Sequence, residues 1–186
     1  MTTTVPHPRL ERAGWLSAQV GLLAALGSGP LGWAVGATTA LATLALLHRA
    51  VRPHLLGPAD RVTLGQALLA GGVAALVAER AQELVLMVGL AVVALSLDWV
   101  DGRVARRTGT ASEVGARFDM EVDAFLILVL SVHAAFLVGP WVLLIGAMRY
   151  LFVAASWLAP WLRAPLPPST ARKAVAVALK SVAKRS

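Results

Sequence analysis

The sequence predicts an all-α protein, a polytopic membrane bundle of about six transmembrane helices. Only 15% of its 186 residues are charged and 58% are hydrophobic, whereas ordinary globular domains carry roughly 25% charged residues. The apolar stretches repeatedly approach the length that spans a bilayer, and they are rich in Gly, Ala and Leu. Because backbone polar groups in lipid must be hydrogen-bonded internally, these stretches favour a helix bundle over a β-barrel.

Six apolar stretches follow one another along the chain. They lie at 15–26, 31–47, 62–78, 84–97, 122–138 and 141–159. Most segments between them contain a Gly-Pro or Arg-Pro pair or, at 79–83, a polar run, and such residues are typical of helix ends. The six stretches are therefore the predicted transmembrane helices.

Basic residues are concentrated in every second connection. They precede the first stretch and follow the second, fourth and sixth, whereas the other connections carry only Arg80. The positive-inside rule places both termini and the loop 103–117 in the cytoplasm, which predicts an integral protein of the cytoplasmic (inner) membrane. A cleaved secretory signal at the N-terminus is the alternative, and an uncleaved helical hairpin is favoured because it preserves the charge alternation.

Charge and cysteine content exclude several functions. The net charge of +7 is accounted for by the loop arginines, and interleaved aromatic and basic residues of the kind that bind nucleic acid are not evident. The absence of cysteine excludes disulfides, thiolate catalysis and cysteine metal sites. We expect membrane lipids and no nucleic acid as partners, and a homodimer is left open.

The chemistry is concentrated in a cluster of aspartates. Asp98 and Asp101 are three residues apart and Asp119 and Asp123 are four apart, so each pair shares one face of a helix. Carboxylates at membrane depth need counter-charge. Oxygen ligands suit Mg²⁺ or Mn²⁺, and four carboxylates can bridge two ions about 3.5 to 4 Å apart. With Arg106 nearby, the cluster predicts a two-metal, phosphate-handling site.

These residues form the pattern D-x-x-D-G-x-x-A-R, eight residues, G-x-x-x-D-x-x-x-D, which resembles the motif of the CDP-alcohol phosphotransferases. The resemblance implies a membrane enzyme that transfers a phosphatidyl-type group from a CDP-alcohol, most commonly CDP-diacylglycerol, to an alcohol acceptor and releases CMP. It implies that Asp98, Asp101 and Asp119 hold one metal ion. It also implies that Asp98, Asp119 and Asp123 hold the other, with Asp123 as the general base.

The resemblance also implies a nucleotide-binding set. Gly102, Ala105 and Arg106 would contact the CDP, with Arg106 at its diphosphate, and Ser112 falls where the family often places a nucleotide-contacting hydroxyl. A plain loop serine is the alternative for Ser112. The expected acceptor-phosphate or lipid-phosphate ligands are Arg149 and Lys173. For Arg149, pairing with a core carboxylate is the alternative.

Upstream, residues 58–66 resemble the family segment P-N-x-x-T-x-x-R, which touches the nucleotide. Thr63 matches it, whereas Asp60 stands where asparagine is usual and Gln66 where arginine is usual. Thr63 and Asp60 are therefore predicted nucleotide ligands. The alternative for Asp60 is the N-cap of a helix.

The resemblance divides the chain into three parts. We expect an N-terminal segment with an extra transmembrane hairpin at 1–57, a four-helix family core at 58–173 and a basic amphipathic tail at 174–186. The family core has six helices, so we expect this chain to lack the last two. The alternative function is therefore a catalytically impaired member that acts as a membrane binding or partner protein. An ion transporter is disfavoured, because all four clustered aspartates lie towards one membrane side.

Overall fold

The computed structural model describes residues 8–50, 58–80, 83–108, 113–159 and 161. Over these residues the chain is helical and contains no strand, so the predicted all-α class is confirmed. The elements are α1 Pro8–Ala25, α2 Pro30–Ala50, α3 Pro58–Ala78, α4 Leu84–Thr108, α5 Glu113–Val138, a 3₁₀ turn Pro140–Val142 and α6 Leu143–Leu158. The chain divides into two compact units, with the division between Met148 and Arg149.

Proline and glycine set several helix ends. Pro30 and Pro58 begin α2 and α3, because proline lacks the N–H that a first helical residue leaves unpaired and its φ suits a helix. α1 ends at Ala25, and shortly after it Gly27 has a φ of 61°, which lies in the left-handed region. There the N–H of Gly27 donates to Ala24 O at 3.0 Å and that of Ser28 to Leu23 O at 3.1 Å, which is a Schellman cap.

Four helices of the described part are long and apolar enough to cross a membrane. The spans are Pro30–His48, Asp60–Ala78, Gly115–Val138 and Pro140–Leu158. The apolar part of α4, Leu84–Val100, is shorter. The chain is therefore an integral membrane protein. The count of six crossings remains a prediction, since among the described residues these four helices are the ones both long and apolar enough.

α3 is the central helix of the first unit and packs against α1, α2, α4 and α5. Its buried middle is built from small residues, including Ala70 and Ala74. A Cβ added at Gly71 would lie 2.8 Å from Gln19 Nε2, and one at Gly72 would lie 2.8 Å from Leu22 Cδ2. These glycines therefore let α1 approach the α3 backbone closely, as small residues do in membrane bundles.

Polar contacts tie the N-terminal hairpin, α1 and α2, to both ends of α3. Near the start of α3, Arg61 pairs with Glu11 of α1 at 2.6 Å. Just beyond its last turn, the Glu79 carboxylate accepts the backbone N–H of Gly32 in α2. A carboxylate beside the first turn of a helix is favourable, because that end carries partial positive charge. The hairpin is thus packed on the central helix along its length.

Candidate active site

Three aspartates from two helices converge on one point. Asp98 lies on α4, and Asp119 and Asp123 lie one turn apart on α5. One carboxylate oxygen from each of the three lies within 4.8 Å of the other two. All three residues are half-buried. The structure therefore brings together three of the four carboxylates that the sequence assigned to a metal site.

The spacing of these oxygens fits a divalent cation. Ligand oxygens on opposite sides of Mg²⁺ lie about 4.2 Å apart, because each Mg–O bond is about 2.1 Å. Without a cation, two carboxylate charges within 4.8 Å of each other repel by about 3 kcal/mol or more at an effective dielectric constant of about 20. The donor set consists of carboxylate oxygens only, which is the set preferred by Mg²⁺ and Mn²⁺.

The cluster lies where apolar and polar sequence meet. Asp98 is two residues before the end of the apolar segment Leu84–Val100, and Asp119 and Asp123 lie in the first turns of the span Gly115–Val138. α4 therefore presents its carboxylate near the C-terminal end of its apolar segment, and α5 presents its two carboxylates near the N-terminal end of its own. A substrate with a lipid tail and a charged head group would meet the carboxylates with its head group.

The remaining motif residues lie around the end of α4. Its last turns contain Asp101, Gly102, Ala105 and Arg106. The structure describes the backbone of 101–108, but of the side chains in this range it describes only that of Arg103. Asp101 is three residues after Asp98 and so occupies the same face of the helix. Ser112 and Lys173 lie outside the described residues. Arg149 lies in α6 and belongs to the second unit.

α3 supplies a residue that the sequence analysis did not assign to the site. Gln66 is fully buried, and its amide Nε2 donates a hydrogen bond to Asp123 Oδ1. In the sequence, Gln66 stands out only as a departure from the arginine usual in the family. The signal that would have indicated a role is its polarity in an apolar membrane helix, where such residues face the bundle interior.

The two other α3 residues assigned to the nucleotide lie in the first two turns of the helix. Thr63, one turn before Gln66, is 2% exposed, and Asp60 is half-buried. The structure corrects one alternative: α3 begins at Pro58, so Asp60 lies within the first turn and is not the N-cap. Proline at the first helical position moves the helix start two residues upstream of Asp60.

The comparison with known families decides the assignment. The sequence model of the CDP-alcohol phosphatidyltransferase family matches residues 56–183, which is more than half of the chain. The chain belongs to the CDP-alcohol phosphatidyltransferase family. No curated protein and no solved structure matches it.

Family membership confirms the resemblance on which the sequence analysis relied. A CDP-alcohol phosphatidyltransferase is a transferase that moves a phosphatidyl group from a CDP-alcohol, and its substrates are that CDP-alcohol and an alcohol acceptor. The matched range contains α3 to α6 and the whole aspartate motif. α1 and α2 end before residue 56, so the hairpin packed on α3 lies outside the match.

Proposed function

We propose that this CDP-alcohol phosphatidyltransferase takes CDP-diacylglycerol as its CDP-alcohol and makes a phospholipid by transferring the phosphatidyl group to an alcohol acceptor, with release of CMP. The observation that carries the proposal is the convergence of Asp98, Asp119 and Asp123 within 4.8 Å. This convergence lies near the C-terminal end of the apolar segment of α4 and the N-terminal end of that of α5. A diacyl tail in the bilayer would bring its diphosphate to that depth.

The proposed metal ligands are the four aspartates of the motif. Asp98, Asp101 and Asp119 would hold one ion, and Asp98, Asp119 and Asp123 the other. When bound, two Mg²⁺ or Mn²⁺ ions would supply positive charge that neutralises the diphosphate. The second of these sets consists of the three residues whose carboxylate oxygens converge in the structure.

Asp123 is the proposed general base. Its carboxylate accepts the proton of the acceptor hydroxyl while the hydroxyl oxygen forms a bond to the β-phosphorus of the CDP-alcohol. The bond from that phosphorus to the bridging oxygen breaks, and CMP leaves with the bonding electron pair. A general base is effective when it lies within hydrogen-bond reach of the proton that it removes. Because the hydroxyl attacks phosphorus directly, no covalent enzyme intermediate is needed.

The remaining binding roles are proposed from the family motif. The nucleotide would be held by Gly102, Ala105, Arg106, Ser112, Thr63 and Asp60. Arg149 and Lys173 would bind the acceptor phosphate or the lipid phosphate. Arginine suits a diphosphate because its planar fork donates two parallel hydrogen bonds. We also propose the division into 1–57, 58–173 and 174–186, and a site that faces the cytoplasm from the inner membrane.

The test is CMP release by the purified chain. The protein in detergent micelles receives CDP-diacylglycerol, Mg²⁺ or Mn²⁺ and one of a panel of alcohols, including glycerol phosphate and inositol compounds. CMP release that depends on one of these alcohols is the expected result. Asp119→Asn should abolish it, whereas Glu83→Gln, at an exposed site before α4, should not. A folded wild-type chain that releases no CMP with any acceptor would contradict the proposal and favour a partner-protein role.

A further inference from the structure

A neutral amide from the central helix lies against the carboxylate cluster. Gln66 of α3 is 0% exposed, and its amide donates to Asp123. α3 packs against both α4 and α5, which carry the three converging aspartates. The described cluster is therefore bounded by three helices, and the third contributes a hydrogen-bond donor instead of another charge.

Charge sets the orientation of this amide. The NH₂ group is attracted to the Asp123 carboxylate, whereas the amide oxygen in its place would be repelled. With Nε2 directed at Asp123, the buried Oε1 has no hydrogen-bond partner among the described residues. Gln66 therefore makes one charge-assisted hydrogen bond and leaves one acceptor unsatisfied. The net contribution of the Gln66 amide to the free energy of folding is small, because the cost of burying the unsatisfied oxygen offsets the gain from the hydrogen bond.

A second buried glutamine provides a contrast within the same unit. Gln19 of α1 is 3% exposed, and neither its Nε2 nor its Oε1 has a partner among the described residues. It lies against Gly71 of α3. Both glutamines are buried, Gln66 on α3 and Gln19 on α1 where it faces α3. Of the two, only Gln66 contacts a carboxylate of the cluster.

We propose that Gln66 is a positioning residue of this site, one that orients the Asp123 carboxylate towards Asp98 and Asp119 without neutralising it. The proposal rests on the proposed metal site. A neutral amide restricts the rotation of the carboxylate and leaves its full negative charge available. Partners that orient metal ligands in this way typically change metal affinity or activity by roughly 10- to 100-fold.

The test measures Mn²⁺ binding to the intact chain in detergent. Binding is monitored through the electron paramagnetic resonance signal of free Mn²⁺. Gln66→Met keeps the length of the side chain and removes both polar atoms. Gln19→Met makes the same change away from the cluster and is the matched control. Gln66→Asn keeps the amide but shortens the side chain by one methylene group, which moves the amide away from Asp123. Thermal unfolding of each variant is measured alongside.

The expected result is that Gln66→Met and Gln66→Asn bind Mn²⁺ about tenfold or more weakly than the wild type, while Gln19→Met binds as the wild type does. The unfolding temperature of Gln66→Met should remain close to that of the wild type. If Gln66 had only a structural role, a loss of Mn²⁺ affinity would be accompanied by a loss of thermal stability. If Gln66→Met fails to fold, the Mn²⁺ affinity of Gln66→Asn decides whether Gln66 supports the metal site. Wild-type affinity in the folded Gln66 variants would overturn the inference, and so would a wild-type chain that binds no Mn²⁺.

CMP release separates this inference from the proposed function. A wild-type chain that binds Mn²⁺ in a Gln66-dependent manner but releases no CMP would contradict the proposed function and support the inference. An active chain whose Gln66 variants bind Mn²⁺ normally would contradict the inference alone. Where the variants are active, we expect the loss in kcat to exceed the change in KM for CDP-diacylglycerol, because the misplaced group is the proposed base.

Discussion

The indole N–H of Trp15 in α1 donates a hydrogen bond to the backbone carbonyl oxygen of Leu64 in α3 at 2.8 Å. Leu64 lies between Thr63 and Gln66, on the turn of α3 that supports the carboxylate cluster. The hairpin, which lies outside the family match, therefore contacts the same turn of α3 that carries the amide bound to Asp123. The packing of α1 on α3 therefore supports the turn of α3 that carries Gln66.

Trp15→Phe should lower the thermal stability of the chain. The substitution keeps most of the buried aromatic surface and removes the donor to Leu64, and one such hydrogen bond contributes about 1 kcal/mol. Trp15→Ala should cost more, about 3 to 5 kcal/mol, because it also leaves a cavity. Thermal unfolding in detergent measures both effects. Trp157→Phe, at an exposed position, is the control, and equal stability of the two Phe variants would argue against a role for the contact.

Gly146→Ala should destabilise the packing of the first turn of α6, which belongs to the first unit, on α5. A Cβ at Gly146 would lie 2.6 Å from Ser131 Oγ and 2.7 Å from Leu128 Cα, and the second of these atoms is backbone that cannot rotate away. Overpacking of this kind costs about 1 to 3 kcal/mol. Gly89→Ala is the matched control, because a Cβ there meets no atom within 4 Å. A Gly146→Ala chain that unfolds at or above the temperature of Gly89→Ala would count against this close approach.

Removal of divalent metal should abolish CMP release. The converging carboxylates carry three negative charges in a small volume, and a diphosphate would add more, so substrate and site would repel each other without cations. EDTA should therefore stop the reaction, and excess Mg²⁺ or Mn²⁺ should restore it. Asp101→Asn, which removes a proposed ligand with little change in volume, should have the same effect without loss of membrane insertion. Wild-type activity that persists in EDTA would contradict the two-metal assignment.

Asp123→Asn should separate binding from catalysis. The asparagine keeps the shape of the side chain and one oxygen ligand but lacks the basic oxygen that takes the acceptor proton. A positioned general base typically contributes roughly 100- to 10,000-fold to the rate. We therefore expect kcat to fall by about that factor while CDP-diacylglycerol still binds. Near-normal turnover would show that another group is the base, and loss of nucleotide binding would show that Asp123 acts mainly as a metal ligand.

Much of the local structure was predictable from the sequence. The structure ends α3 at Ala78 and α5 at Val138 and begins α4 at Leu84, each at the boundary of a predicted apolar stretch. At their polar ends, α4 and α5 are longer than the predicted apolar stretches. α4 continues to Thr108 and α5 begins at Glu113. Hydropathy marks only the lipid-depth part of a helix, and the backbone hydrogen bonds of these two helices continue into the polar motif.

The aspartate motif and its surroundings differ in how far the sequence reveals them. The spacings of Asp98 with Asp101 and of Asp119 with Asp123 are local, so helix geometry alone predicts a shared face for each pair. The hydrogen bond between Gln66 and Asp123 joins residues 57 positions apart. No local rule relates α3 to α5, and the departure from the family arginine at position 66 gave no indication of a partner.

The sequence by itself determined the membrane class, the helical segments and the set of acidic residues, because these depend on composition, turn chemistry and spacing within one helix. Only the tertiary structure decided that α3 is the central helix, that the hairpin packs on it through Trp15, and that Gln66 contacts Asp123. The physical reason is that bilayer lipid is as apolar as a leucine side chain, so hydropathy does not distinguish a lipid-facing surface from a helix-facing one. Close packing at small residues such as Gly71 and Gly72, together with a few buried polar contacts, determines which faces meet.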